Sequence, residues 1–157
     1  MTQRDTMNLQ LFEGFSAEEL EELQSVIEQV DFPAGETILY QNHRATTLYI
    51  VISGEVEILH KPYDAPTITI NRLSTGGVFG WSAILGRKVY SSTVIAKTDC
   101  TLYRILAFKL QQLCERHHET GVVLLEKIAM SVAKQPAKIH EQILEMINLA
   151  MSCPETD

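Results

Sequence analysis

Hydrophobic and polar positions follow two different periods along this chain. Leu20, Leu23, Ile27 and Val30 recur at three- and four-residue spacing, which lines up apolar side chains on one stripe of a helix. The run Phe15-Ser16-Ala17-Glu18-Glu19-Leu20 supplies a start for it. Ser16 can cap, Glu19 can close a capping box, and Phe15 with Leu20 can form a hydrophobic staple. The pattern predicts a helix through Val30, ended by Pro33, with extended chain at Asp31 and Phe32.

From Thr37 to Ala107 the texture changes to Val-, Ile-, Thr- and Tyr-rich runs, the composition of strands. Strands are predicted at residues 37–40, 47–52, 55–60, 67–73 and 91–105. Glu55-Val56-Glu57-Ile58 alternates polar with apolar, as a half-buried strand does. Gly35, Gly54 and Gly76-Gly77 punctuate the runs as turns. Many short strands with close turn signals predict a mainly β protein with flanking helices, closed as a jelly-roll barrel (a double-stranded β-helix). One segment breaks the strand texture: residues 80–86 are apolar between two glycines, and a short helix is expected there with its N-terminus toward the barrel interior.

Helical spacing returns after Leu106. Residues 108–117 predict one helix, and a heptad then runs through Val122, Leu125, Ala129, Val132, Ile139, Ile143, Met146 and Ala150. Such a seam suits a coiled coil or a long helix in a groove. Val122, Leu125, Ala129, Val132, Ile139 and Ile143 are the expected homodimer interface. Pro136 falls on the seam, where it kinks the helix or begins a second one. The organisation expected is a polar terminus at 1–10, a barrel domain at 11–118 and a helical arm at 119–152.

Composition narrows the function classes. In 157 residues, 45% are apolar and 21% charged, enough for one folded domain. The net charge of −7 argues against a nucleic-acid coat, which needs clustered Lys and Arg. Cys100, Cys114 and Cys153 are odd in number and far apart, so a reducing, cytoplasmic setting is expected. No apolar run resembles a secretion signal or a membrane span.

The order of elements, and several motifs, resemble the cyclic-nucleotide-binding domains of catabolite activators and protein-kinase regulatory subunits. Phe32-Pro33-Ala34-Gly35-Glu36 is similar to that family's first strand turn. Leu48-Tyr49-Ile50-Val51-Ile52-Ser53-Gly54-Glu55-Val56 is similar to its second hairpin. Gly77-Val78-Phe79-Gly80 leads into the segment that matches its phosphate-binding cassette. The resemblance implies a regulatory sensor with a ligand at Phe79, Gly80, Trp81, Ser82, Ala83, Tyr90, Ser91, Ser92 and Thr93. No cofactor is implied beyond a cyclic nucleotide or other small anion as effector.

Two positions depart from the family's pattern. Trp81 stands where the family has a Glu for the ribose, and Tyr90 stands where it has an Arg for the cyclic phosphate. Arg87 and Lys88 are near, but moving either into place slips the strand register and inverts the following residues. A charge-assisted hydrogen bond contributes roughly 1.5–3 kcal/mol, so loss of the guanidinium alone weakens binding by about one to two orders of magnitude. Three readings stay open. Neutral donors, with the Trp81 ring or Tyr90 phenol, hold a nucleotide or similar anion; or the pocket takes a less charged ligand; or Trp81 and Tyr90 fill it and the domain is a scaffold for dimerisation.

A cupin-like metalloenzyme is the reading from another class. It needs a His-x-His pair with further ligands across the barrel, whereas the barrel region has only His43 and His60. Cys114, His117 and His118 lack a fourth partner, so no metal site is assigned. No catalytic motif is evident, and a non-enzyme is expected. The stretch after Pro136 is acidic at its tip and too short for a helix-turn-helix, so direct DNA binding is not expected and output falls to a protein partner.

Overall fold

The computed structural model describes residues 9–134. Pro136, Ile139, Ile143, Met146, Ala150 and Cys153 lie outside the described residues. A 3-10 turn at Gln10–Phe12 precedes helix α1 (Ala17–Gln24). Eight strands follow: β1 (Ile27–Phe32), β2 (Thr37–Leu39), β3 (Thr47–Ser53), β4 (Val56–His60), β5 (Ile68–Leu73), β6 (Val78–Phe79), β7 (Thr93–Ala96) and β8 (Cys100–Leu106). A second 3-10 turn, Trp81–Ala83, sits between β6 and β7, and helices α2 (Ala107–Arg116) and α3 (His118–Lys134) close the described chain. The strands pair antiparallel in two four-stranded sheets, β1-β8-β3-β6 and β2-β7-β4-β5. This is the expected jelly-roll.

Two cores hold the layers together, and strand alternation assigns residues to each. In β3, Leu48 and Ile50 point to the helices while Tyr49 and Val51 point between the sheets. In β8, Tyr103 and Ile105 join the first group, and Cys100 and Leu102 the second. The register Leu48↔Ile105 and Val51↔Leu102 keeps each set on one face. Both faces of this sheet are covered, which explains why β3 reads as a continuous apolar run. Leu23 of α1, Leu110 and Leu113 of α2, and Leu124 and Ile128 of α3 complete the helix-side core. Each such buried side chain contributes roughly 1.5–3 kcal/mol relative to exposure.

The N-terminal helix begins as expected. Ser16 Oγ accepts from the Glu19 N–H at 3.1 Å and Glu19 Oε1 accepts from the Ser16 N–H at 2.9 Å, a complete capping box. The helix stops at Gln24, however, instead of reaching Val30. Ile27 and Val30 fit both periods; pairing with β8, from Ile27↔Ile105 to Phe32↔Cys100, pulls the segment into the sheet. Long-range pairing overrides local helical spacing here. The single run predicted at 91–105 is likewise two strands, parted at residues 97–99, where the Glu55 carbonyl accepts from the Lys97 N–H. Leu9, assigned to the polar terminus, packs against the helix-side core, and exposed Gln10 opens the 3-10 turn.

The predicted heptad seam divides. Leu125 and Val132 pack on the helix-side core of their own barrel, Val122 is half-buried and Ala129 is exposed. At the elbow between α2 and α3, a Cβ on Gly121 would lie 2.8 Å from Cys114 Cα. Only glycine permits so close an approach of the two helices. Glu22 of α1 braces the same elbow, 2.9 Å from His117 Nδ1 and hydrogen-bonded by the Thr120 hydroxyl.

Candidate ligand-binding site

Strand β6 ends at Gly80, whose φ of +81° is left-handed. A Cβ there would stand 2.8 Å from the Thr47 carbonyl oxygen, so glycine is required both by conformation and by space. The short helix expected within residues 80–86 is a single 3-10 turn at Trp81–Ala83. Gly86 turns the chain with a φ of +76°, and the Arg87 N–H ties the loop back to the Ser82 carbonyl. The turn presents its first N–H groups, those of Trp81 and Ser82; among the described residues neither has an intramolecular acceptor.

Beyond this turn lies a cavity of about 50 Å³. Its apolar wall comes from Leu39, Ile58, Phe79 and Val94, and its neutral polar groups from Ser82, Ser91, Ser92 and Asn71; Gly80, Trp81 and Tyr90 complete the lining. Ser82 and Ser92 are buried. None of the lining residues is charged. The volume holds roughly three or four waters and falls well below the ~300–1,000 Å³ of an ordinary ligand pocket.

Tyr90 explains why the space is small. It is 6% exposed, and its ring belongs to the core between the sheets. Its hydroxyl donates to the Thr47 carbonyl at 2.7 Å and accepts from the N–H groups of Thr47 at 2.9 Å and Thr46 at 3.3 Å. A phenol has one proton to give, and this one is used inside the protein. The role expected for Tyr90 as a hydroxyl donor to a ligand is therefore not available in this arrangement. The neighbouring Tyr49 stacks on Phe79 with ring centroids 5.1 Å apart, and burial pushes its phenol above the usual value.

Of the nine assigned residues, Phe79, Gly80, Trp81, Ser82, Tyr90, Ser91 and Ser92 line the cavity, whereas Ala83 and Thr93 do not. Thr93 faces the other side of its sheet, where its Oγ1 accepts from the Gln41 N–H at 2.9 Å. Trp81 borders the cavity and also packs against the helix-side core, so it does not fill the barrel as the scaffold reading supposed. Arg87 and Lys88 are exposed and take no part in the lining. Leu39, Ile58, Asn71 and Val94 were missed. They sit on strands distant in sequence, and only the sheet order brings them together. Among the described residues no group of three or more His, Cys, Asp or Glu is placed to hold a metal, and no helix is long and apolar enough to cross a membrane.

Comparison with known proteins gives a consistent picture. The family model described as "Cyclic nucleotide-binding domain" matches residues 29–117. The potassium channel AKT2 of Oryza sativa subsp. japonica is 29% identical over 135 residues, which is 86% of this chain and 15% of the channel. This chain thus corresponds to a small part of that relative's length. Among solved structures, the catabolite activator protein of Thermus thermophilus superimposes with a TM-score of 0.68 at 25% identity, covering 89% of this chain and 62% of that one. A putative cyclic nucleotide-binding protein of Geobacter metallireducens GS-15 gives a TM-score of 0.73 at 22% identity, covering 86% of this chain and 98% of the other.

Proposed function

This chain belongs to the cyclic nucleotide-binding domain family, and from that premise we propose that it is a non-catalytic regulatory module tuned away from cyclic phosphates, with output carried by its C-terminal helices. The observation that supports this most is the Tyr90 hydroxyl, whose hydrogen bonds to Thr46 and Thr47 leave no proton for a ligand. A cyclic phosphate brought into the cavity would give up water and meet no cationic partner, since no lining residue is charged. Burying an unpaired anion costs far more than neutral hydroxyls and two free N–H groups return.

A second reading keeps the cavity in use. Its walls are apolar with Ser82, Ser92 and Asn71 as neutral polar groups, the lining that suits a small uncharged ligand. An NMR titration with uncharged aromatic heterocycles, alongside cyclic AMP and cyclic GMP, separates the readings. Saturable shifts at Ser82, Ser92 and Val94 with neutral compounds alone favour a small-molecule sensor. Shifts with neither class leave a module governed by protein partners, and tight binding of either cyclic nucleotide overturns the proposal.

Pairing of two copies through α3 is part of the same proposal. Half-buried Val122, exposed Ala129 and the exposed Met130 leave apolar surface on that helix, and the heptad continues beyond the described residues. Light scattering coupled to gel filtration is expected to give twice the chain's 17.7 kDa. A monomer at that mass removes this part alone.

A further inference from the structure

We infer that Tyr90 acts as an internal surrogate for a ligand, latching the cassette to the start of α2 through the backbone of Thr46 and Thr47. The inference rests on the reading of a barrel closed to cyclic phosphates and adds what the closing group does. Three facts carry it. The Tyr90 hydroxyl bridges the Thr46 N–H, the Thr47 N–H and the Thr47 carbonyl. The Thr46 carbonyl in turn accepts at 2.9 Å from the N–H of Ala107, the first residue of α2. Gly80, at the head of the cassette turn, lies against the same Thr47 carbonyl. One dipeptide thus touches the cassette, the latch and the first N–H of the C-terminal helices.

A tyrosine serving only as core would need its ring buried and its hydroxyl satisfied by any one partner. Here three backbone groups from one dipeptide converge on the oxygen, and their release leaves the dipeptide that holds Ala107 tethered only by the pairing of Thr47 with Leu106. The latch therefore biases the position of α2, the task a bound effector would otherwise perform. Two states need a contact that differs between them, and the hydroxyl bridge is that contact.

Tyr90→Phe removes the oxygen and keeps the ring. Amide hydrogen exchange is read residue by residue at Thr46, Thr47 and Ala107, and at two distant reference amides, Lys97 and Gly76, which bond to Glu55 and Val51. The three near amides are expected to exchange about tenfold or more faster, the scale of one lost buried hydrogen bond, with the reference amides unchanged. A common acceleration of all five, or an unchanged Ala107, overturns the latch. Ala107→Pro supplies a second test. Leu106 has φ −70° and ψ 134°, which suits a residue before proline, and the first helical position tolerates proline. This variant cuts only the Thr46–Ala107 link. Tyr90→Phe alone is expected to speed exchange at His117, the C-cap of α2, and in the Ala107→Pro background it should no longer do so; continued acceleration there sinks the proposed path. Failure of either test leaves cyclic nucleotide binding to be decided separately by titration.

Discussion

Gly121→Ala sets two effects against each other at the elbow of α2 and α3. Alanine is preferred over glycine in a helix by about 0.8–1.0 kcal/mol. Against that, the new Cβ would stand 2.6 Å from Cys114 Sγ, 2.8 Å from Cys114 Cα and 3.1 Å from Cys114 N. Carbon atoms pack comfortably at about 3.5–4.0 Å, so the helices must part by most of an ångström where two of the three obstacles are backbone. Overpacking of this kind costs about 1–3 kcal/mol, and parting also loosens Leu110, Leu113 and Leu124 beneath. Net of the helix preference, the clash costs up to about 2 kcal/mol, and the loosened packing beneath adds to the loss, so the melting point should fall by up to about 8 °C at this chain size. Thermal and urea denaturation followed by circular dichroism measure it. Introduced into Cys114→Ala, where Sγ is gone but Cα and N remain, the same substitution should still destabilise, by less. A Gly121→Ala protein as stable as the parent would refute the tight elbow.

Other perturbations report on the site and on the inter-sheet core. Gly80→Ala forces a side chain into left-handed backbone, at about 1–2 kcal/mol, and drives it toward the Thr47 carbonyl. Its melting point should fall, and the Thr46 and Thr47 amides should lose protection with it. Burial, together with Tyr90, raises the Tyr49 phenol above 10.0, and Arg104 partly offsets this. The unfolded chain then gives up that proton first, so stability is full below pH 10 and declines as pH rises above it. Tyr49→Phe should flatten that alkaline decline in pH-dependent denaturation, and an unaltered slope would assign the decline elsewhere.

Much of the architecture was legible because strand alternation and turn glycines act locally. Leu48 to Val51, Gly54 and the Ser16–Glu19 box each have one physical reading, and the fold keeps it. Ile27 and Val30 misled because three-residue spacing satisfies a helix stripe, while a strand partner nearly eighty residues away is invisible to any local window; Ile27 pairs with Ile105. That Tyr90 stands where related domains carry a charged anchor was legible only through the family resemblance. The fate of its hydroxyl was not, because Thr46 and Thr47 reach it only through the pairing of distant segments. Trp81 shows the same limit: its size was known, but its packing toward the helices depends on how the turn after Gly80 leaves the sheet.

Isothermal titration of the whole protein with cyclic AMP tests the central claim most directly. With Tyr90 holding its own hydrogen bonds and no charged residue in the cavity, no saturable heat is expected at micromolar nucleotide. A saturable isotherm in that range, abolished by Gly80→Ala, would contradict it and return the barrel to nucleotide sensing.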